Sequence, residues 1–307
     1  MNQIPVVFIH IGNPKYLKKV ISLANRYGNA VFLIGDQSNR KICEKWIDSA
    51  NLKNEKYNLF QQVYQHMSTN AVPFEIGCFR RYFWLQAFMK KWQINECFMI
   101  DSDVCIYRNL SQMDLKNYEV ACGVVDDGIP NIWYASPHSS YWTVEALDNF
   151  IDFLINVYVN RRSVLDTIWM EHVTQNILGG ISDMVLLRLW IKEAKPRWKN
   201  LAMVDENEFF DDNVNCACNY INQNYQMQKL LFNRKIKKVV FADGRAYMIN
   251  NHQEKVITNI IHAQGEAKMY ISCFTKYRNN ILSYYLADIY HESTAWIKTV
   301  LDKIIRG

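Results

Sequence analysis

The chain has 307 residues, of which 50% are hydrophobic and 21% are charged, and its 35 Lys and Arg against 30 Asp and Glu give a net charge of +5. This composition excludes intrinsic disorder, which requires low hydrophobicity and a large charge imbalance. The 11 glycines and 6 prolines are too few for a collagen-like or linker-rich chain. No segment carries a stripe of basic residues, so we expect no nucleic-acid partner, whereas a mild positive surplus suits a small anionic molecule or an anionic membrane surface.

The eight cysteines do not have the spacing of a zinc site or a disulfide framework. Most lie in apolar runs such as 97–100, and no C-x-x-C pair is present. The first residues enter an apolar strand without a basic flank or a cleavage site, and no run approaches about 18 uncharged apolar residues. We therefore expect a cytoplasmic protein whose cysteines are reduced. The protein is either free in the cytoplasm or bound peripherally to the inner face of a membrane.

The first forty residues predict a β-α-β unit. Residues 6–11 and 30–34 are continuous apolar runs, and residues 16–27 between them carry apolar side chains at helical spacing. Continuous apolar strands are typical of a parallel sheet that is buried on both faces. Ligands bind such sheets at the carboxyl ends of the strands, which here lead to Gly12 and Asp36.

The rest of the chain continues the α/β pattern. It predicts helices at 41–50, 75–92, 144–159 and 182–194, an aromatic loop at 129–142, and strands at 97–100, 104–107, 119–125, 201–204, 238–241 and 257–262. No repeat or linker interrupts it. We therefore predict one α/β domain over residues 1–270, followed by a helical C-terminal extension over residues 271–307.

Two carboxylates, Asp101 and Asp103, directly follow the buried strand at 97–100. Carboxylates at positions i and i+2 can aim at one point where a strand opens, and hard oxygen ligands suit Mg²⁺ or Mn²⁺ with a bridging diphosphate. Such a D-x-D pair also occurs by chance as a solvated strand end. The apolar residues on both flanks favour the metal site.

A second motif, H-x-x-G-x-x-K, follows the apolar strand at 257–262. The imidazole of His262 favours Mn²⁺ over Mg²⁺ as a metal ligand. Gly265 lets the main chain approach a phosphate, and Lys268 supplies a positive charge for it. Asp103 is the first expected metal ligand and His262 is the second. Asp101 completes the set or contacts a ribose or a metal-bound water.

Together these segments resemble the metal and diphosphate sites of the GT-A fold nucleotide-sugar glycosyltransferases. The second motif is similar to the C-terminal motif of glycosyltransferase family 8, in which His binds the metal and Lys the diphosphate. Residues 75–85 and 179–184 resemble the arginine helix and the acceptor-side helix of bacterial members that make polysaccharide or lipopolysaccharide. The family 8 pattern continues Lys-Pro-Trp, whereas Met269 and Tyr270 follow Lys268. The resemblance implies a GT-A fold, a Rossmann-like mixed sheet that is mainly parallel and flanked by helices.

The resemblance also implies a function, namely a metal-dependent hexosyltransferase with Mn²⁺ or Mg²⁺ as cofactor. Such an enzyme moves a sugar from a nucleotide-sugar donor to a glycan or lipid-linked acceptor in cell-surface polysaccharide synthesis. We expect a UDP-linked donor because UDP-sugars are the commonest donors of such enzymes, and no residue specifies the nucleobase. One alternative is a sugar-phosphate nucleotidyltransferase, although residues 10–15 lack that group's G-G-x-G-T-R loop. The other alternative is a non-catalytic carbohydrate-binding protein of the same fold, against which the two intact motifs count.

The resemblance assigns several residues to the binding site of the nucleotide-sugar donor. Gly12 and Asp36 should border the nucleobase, where Asp36 either accepts the uracil imide N–H or serves as an ordinary turn residue. Arg80 and Arg81 point about 100° apart on a helix, so at most one of them faces the site. We favour Arg81, which would orient Asp101 or the diphosphate.

The acceptor side is less determined. Asp183 begins a helix, where a carboxylate is favoured by the helix dipole alone, and it is also placed to contact the transferred sugar or the acceptor. If the reaction inverts configuration, Asp183 or Asp127 is the candidate general base, and if it retains configuration no dedicated base is required. The aromatic residues of 129–142 either stack on sugar or fill the core. The basic and aromatic segment 271–307 either contacts an anionic membrane or caps the domain.

Overall fold

The computed structural model describes residues 3–125, 134–220 and 223–306. Its strands, in chain order, are β1 (Pro5–Ile9), β2 (Ala30–Gly35), β3 (Trp46–Asp48), β4 (Glu96–Ile100), β5 (Val104–Ile106), β6 (Val120–Val125), β7 (Tyr134–Thr143), β8 (Trp198–Asn200), β9 (Glu208–Phe210), β10 (Cys218–Tyr220), β11 (Gln223–Asn224), β12 (Met227–Lys229), β13 (Lys235–Lys237), β14 (Val239–Ala242), β15 (Arg245–Ile249) and β16 (Lys255–His262). Its helices are α1 (Leu17–Arg26), α2 (Glu55–Val63), α3 (Val72–Lys91), α4 (Val144–Asn160), α5 (Arg162–Thr174), α6 (Asp183–Ala194), α7 (Ile271–Thr275) and α8 (Ile281–Arg306).

The central layer is a mixed sheet, which has seven strands within the described residues, in the order β3-β2-β1-β4-β7-β6-β8. All neighbouring pairs are parallel except those that β7 makes with β4 and β6. The sheet is buried on both faces, as the continuous apolar strands predicted. Phe8 and Ile100 belong to the apolar layer shared with α1, and Val7 and Met99 belong to the layer shared with α3, α4 and α6. The predicted α/β class, with a mainly parallel sheet flanked by helices, is confirmed.

A second sheet, in the order β14-β15-β16-β5, carries the C-terminal part of the candidate site. Its last pairing is antiparallel and joins β16 to β5, with Ile261 opposite Cys105 and His262 opposite Val104. Because β5 starts directly after the D-x-D motif, this register sets the end of β16 beside Asp103. The strand β9 joins the other edge of β16 in parallel.

The helical C-terminal region is present, but it is not continuous. Between α7 and α8, Tyr277 adopts a left-handed conformation (φ +53°), and Asn279 exchanges hydrogen bonds with the main chain of Phe241. These contacts break the helix and tie the break to β14. Tyr284 and Asp288 of α8 are buried against the body. No helix among the described residues combines the length and the apolar character needed to cross a membrane.

Three predicted elements were wrong. The predicted strand at 201–204 is a turn that follows β8, where the Asn200 side chain accepts a hydrogen bond from the Ala202 N–H (3.0 Å). The predicted helix at 41–50 instead contains the short strand β3, because this segment pairs in parallel with β2. Asp48 then accepts a hydrogen bond from the Ala50 N–H (3.0 Å) and starts a 3-10 turn. The described part of the predicted loop at 129–142 is the strand β7, which pairs with strands on both sides. The helices α2 and α5 were not predicted.

Candidate active site

The D-x-D motif forms a tight turn between β4 and β5. The Val104 N–H donates to the Asp101 carbonyl (3.2 Å), and the Asp101 N–H donates to the His138 carbonyl on β7 (2.8 Å). The Asp103 carbonyl accepts from the Ala263 N–H just beyond β16 (3.0 Å). Three elements therefore fix the main chain of the turn, so both carboxylates have defined positions.

The structure brings together the three predicted metal ligands. Ligand atoms of Asp101, Asp103 and His262 all lie within 4.8 Å of one another. His262 Nε2 is 3.6 Å from Asp103 Oδ1, and Lys268 Nζ is 3.1 Å from Asp103 Oδ2. Two carboxylates with one imidazole fit a hard to borderline divalent cation such as Mn²⁺.

Electrostatics couple these groups in the absence of a cation. Burial acts to lower the pKa of His262, but the hydrogen bond and charge of Asp103 outweigh it and raise that pKa to about 9. Burial acts to raise the pKa of Asp103, but His262 and Lys268 bring it well below its usual range. For Lys268, the charge of Asp103 likewise outweighs burial and raises the pKa. A divalent cation that bound His262 would therefore have to displace this proton.

The tautomer and orientation of His262 are set by its other nitrogen. Its Nδ1 lies 2.6 Å from the Asp212 carbonyl and must donate to it, so Nε2 is directed toward Asp103. The ring stacks on His138 with centroids 4.2 Å apart and planes 7° apart. Burial, and then the charge of His262, lower the pKa of His138, which keeps its ring neutral.

Arg81 joins the D-x-D turn to the start of α6. Its guanidinium donates to Asp101 (2.6 Å) and to Asp183, and the Tyr82 hydroxyl also donates to Asp183 (3.2 Å). The side chains of Arg81 and Asp183 are 13% and 3% exposed. Arg80 points elsewhere and stacks on Trp84, 4.4 Å from the ring centroid. Of the two arginines, Arg81 is the one in the cleft.

A pair of glycines determines where α6 begins. The Thr69 N–H donates to the Gly179 carbonyl (2.8 Å), which links this loop to the segment before α3. Gly180 has φ +139°, and a Cβ there would lie 2.4 Å from the Met67 carbonyl. Only glycine fits this close approach. Ser182 then caps α6 by accepting from the Val185 N–H (3.3 Å).

Asp36 lies at the end of β2, where it accepts hydrogen bonds from the N–H groups of Gly12 and Ser38, both at 2.9 Å. It therefore caps the 3-10 turn at 37–39. The structure brings Gly12 and Asp36 together as expected. A contact with a nucleobase remains a prediction for both.

Asn39 holds the same strand ends together. It donates to the carbonyls of His10 (2.8 Å) and Gly12 (2.9 Å) and accepts from the Trp46 ring N–H (2.9 Å). A Cβ on Gly35 would lie 2.1 Å from the Asn39 side-chain oxygen. The absence of a side chain at residue 35 thus makes room for this connection.

Gly265 begins a 3-10 turn that ends at Tyr270 and carries Lys268. Its φ is +58°, and a Cβ built on it would meet no atom within 4 Å. Space beside this main chain is open, and the approach of a phosphate here remains a prediction.

Sequence reasoning missed several residues of the site. His10 follows β1 on the same face as Phe8, which pairs with Ile100, so it lies beside the D-x-D turn. Burial lowers the pKa of His10, while Asp103 acts to raise it. Asp211 and Asp212 follow the buried end of β9 as Asp101 follows β4, a signal that the sequence offered. The burial of Lys237, in β13, could not be predicted, because the sequence around it is like that around the exposed Lys235 and Lys238. Asp127 lies outside the described residues.

No family model and no curated protein matches the sequence at a significant level. Among solved structures, the chain is similar to mouse xyloside xylosyltransferase 1, with TM-score 0.44 and 10% identity over 65% of this chain and 85% of that one. It is also similar to the glycosyltransferase GlyE of Streptococcus pneumoniae TIGR4, with TM-score 0.35 and 13% identity over 66% and 45% of the two chains. A third is PaToxG glycosyltransferase, with TM-score 0.36 and 13% identity over 63% and 70%. Similarities of this size do not define an activity.

Proposed function

We propose that this protein is a metal-dependent glycosyltransferase that takes a sugar from a nucleotide-sugar donor, with UDP as the expected nucleotide. The observation that carries the proposal is the convergence of Asp101, Asp103 and His262, with ligand atoms within 4.8 Å of one another. Lys268 lies 3.1 Å from Asp103 on the same side. The cluster lies at the carboxyl end of parallel strands, which is where α/β sheets bind nucleotides.

The residues of the cluster have different roles in the release of a nucleoside diphosphate. Asp103, His262 and Asp101 would hold the cation, which neutralises charge on the diphosphate when bound. Lys268, 40% exposed, faces the same space and adds a fixed positive charge where the leaving group becomes more negative. Arg81 donates a hydrogen bond to Asp101 (2.6 Å) and so holds its carboxylate in place.

Asp183 is better suited to holding the cleft than to removing a proton. Its buried carboxylate already accepts hydrogen bonds from Arg81 and Tyr82. A general base must offer a lone pair to the acceptor hydroxyl in the productive geometry. We therefore propose that Asp183 orients Arg81, and that an inverting reaction would need another general base, for which Asp127 is the candidate.

The test begins with thermal shift in Mn²⁺ across a set of nucleotide sugars. A cognate donor at 100 times its Kd should add about 2.7 kcal/mol of apparent stability. Turnover is then followed as nucleoside diphosphate release. A nucleotidyltransferase would instead release pyrophosphate from a nucleoside triphosphate and a sugar phosphate, and a binding module would bind sugar without turnover. Either of those outcomes would contradict the proposal.

We further propose a glycan or lipid-linked acceptor in cell-surface polysaccharide synthesis, reached at the inner face of a membrane. Opposite its packed face, α8 exposes an apolar stripe at helical spacing, formed by Leu282, Leu286, Ile289, Tyr290, Trp296 and Ile297. Exposed cations flank it at Lys276, Arg278 and Lys298. An apolar helix face bordered by cations fits an anionic lipid surface.

This membrane contact is tested by flotation with vesicles of phosphatidylglycerol and phosphatidylcholine. The variant L286S/W296S should lose vesicle binding and keep the wild-type thermal stability, because both side chains are exposed. The variant Leu59→Ser, exposed on α2, is the matched control. Equal flotation of all three proteins would contradict the contact. A concentration-dependent dimer that L286S/W296S abolishes would assign the stripe to a second copy of the chain.

A further inference from the structure

A fully buried ion pair lies behind the candidate metal site. Lys237 Nζ is 2.5 Å from Asp211 Oδ1, and both side chains are 0% exposed. The same ammonium group donates to the Asn219 side-chain oxygen (2.9 Å). Removing two charges from water costs free energy that their attraction only partly returns, so such a pair is weak evidence for a purely stabilising role.

The pair is directly connected to the main chain around His262. The second oxygen of Asp211, Oδ2, accepts the His262 N–H (3.1 Å). Asn219, which Lys237 contacts, accepts the Asp212 N–H (2.8 Å). The Asp212 carbonyl in turn accepts from His262 Nδ1 (2.6 Å). Lys237 therefore contacts one of the two groups that fix His262, Asp211, directly, and reaches the other, Asp212, through Asn219.

Further contacts through Val214 and His138 complete this arrangement. The Lys237 N–H donates to the Val214 carbonyl (2.7 Å), and the Val214 N–H donates to the His262 carbonyl (3.1 Å). His138 stacks on the imidazole and places its Nε2 3.1 Å from the Asp211 carbonyl. The ring of His262 is thus held at its main chain, at Nδ1 and on one face, and only Nε2 is directed into the cleft.

We propose that the buried pair of Lys237 and Asp211 positions His262, fixing the tautomer and ring plane that present Nε2 to a divalent cation. The inference rests on the proposed function, since it concerns the cation of that same site. Groups that orient a metal-binding histidine through its second nitrogen affect metal affinity about 10–100-fold when removed. Lys237 and Asp211 are positioning residues and would not touch the cation or the substrate.

The experiment measures Mn²⁺ binding by electron paramagnetic resonance, with no substrate present. The first variant is Lys237→Met, which keeps the length of the side chain and removes its charge. The second is K237M/D211N, which removes both charges of the pair. Mn²⁺ binding can then still be measured if Lys237→Met alone unfolds. Lys235→Met, exposed two residues earlier on β13, is the matched control.

We expect the Kd for Mn²⁺ to rise about 10–100-fold in both charge-removing variants and to stay unchanged in the control. Electron spin echo of the bound Mn²⁺ reports whether a histidine nitrogen coordinates it. We expect the nitrogen modulation in the wild type and in Lys235→Met, and its loss in His262→Gln and in the two charge-removing variants. A merely structural role would not remove this signal.

Wild-type Kd and nitrogen modulation in K237M/D211N would overturn the positioning role while leaving the metal site intact. A weaker Kd with unchanged modulation would overturn it as well, because the ring would then still be correctly placed. If the wild type itself binds no Mn²⁺, the metal site of the proposed function fails, and the inference fails with it. These outcomes separate an error about the pair from an error about the site.

Discussion

The two halves of the cleft contain similar groups in different arrangements. Around Asp103, the imidazole of His262 and the ammonium of Lys268 lie 3.6 and 3.1 Å away, and the ligand atoms surround a space that a cation can enter. Around Arg81, the single guanidinium is hydrogen-bonded to both Asp101 and Asp183, so two carboxylates share one cation of the protein. Asp101 belongs to both halves.

This difference indicates that the Asp103 half binds the cation and that the Arg81 half stabilises the cleft. A deeply buried carboxylate such as Asp183, which already accepts hydrogen bonds from an arginine and a tyrosine, has little left to offer a metal ion. A carboxylate such as Asp103, which faces a displaceable proton, gains from exchanging that proton for a cation. We therefore expect substitutions in the Asp103 half to affect cation binding and turnover first. Substitutions in the Arg81 half should affect the stability of the fold first.

The largest effect is expected for Asp103→Ala. It removes the carboxylate that contacts both His262 and Lys268, so nucleoside diphosphate release from the cognate donor should fall by at least about 10³-fold. The fold should persist, as judged by circular dichroism. Asp152→Ala, which changes a carboxylate on the surface of α4, should retain full activity. Undiminished activity in Asp103→Ala would rule out the metal assignment.

Arg81→Met should give the largest loss of stability. It leaves the buried carboxylate of Asp183 without its cation, which typically costs about 3–5 kcal/mol. The free energy of unfolding is measured in urea. The neighbouring Arg80→Met is the control, because its stacking on Trp84 contributes only about 0.5–1 kcal/mol. Equal losses for the two variants would remove the distinction between the halves.

Lys268→Gln should reduce kcat for a diphosphate donor by about 10²-fold, because a fixed charge at the leaving group is lost. Mn²⁺ affinity should change much less, since Lys268 is not a metal ligand. Lys229→Gln, on the exposed face of β12, tests for a general charge effect. A change in Mn²⁺ affinity larger than the change in kcat would place Lys268 in the metal site instead.

The smallest effect, about tenfold per pH unit, is a pH dependence of cation binding. Without a cation, the pKa of His262 is raised to about 9, so the Kd for Mn²⁺ should fall about tenfold per pH unit between pH 6.5 and 8.5. The same raised pKa stabilises the metal-free fold below pH 6.5, and this contribution is lost as the pH rises through about 9. Titrations in Mn²⁺ and in EDTA measure both. A flat profile in the wild type, equal to that of His262→Gln, would contradict the coupling.

The sequence predicted the parts of the site that lie at strand ends. Asp101 and Asp103 were recognised because two acids follow an apolar strand, and His262 and Lys268 because their spacing matches a known motif. Arg81 was preferred over Arg80 on helical geometry and resemblance, and the structure puts Arg81 in the cleft. Sequence patterns capture these features because each is local to one strand end or one helix turn.

The missing parts depend on contacts between distant segments. Nothing within β13 distinguishes Lys237 from the exposed Lys235, since its burial depends on Asp211, 26 residues earlier in the chain. The strand β7 was expected to be a loop because its Ser and Pro residues are typical of turns, but pairing with β4 and β6 overrides that preference. The break before α8 depends in the same way on Asn279 contacting β14.

The close approach of Gly35 and Asn39 has a consequence for the evolutionary history of this chain. Any side chain at residue 35 would occupy the space of the Asn39 amide, which holds the ends of β1 and β2 together. A substitution at one of the two positions therefore requires a change at the other. Homologous sequences should therefore show correlated substitution here, with residue 35 enlarged only where residue 39 has become smaller and some other donor has taken over the carbonyls of His10 and Gly12.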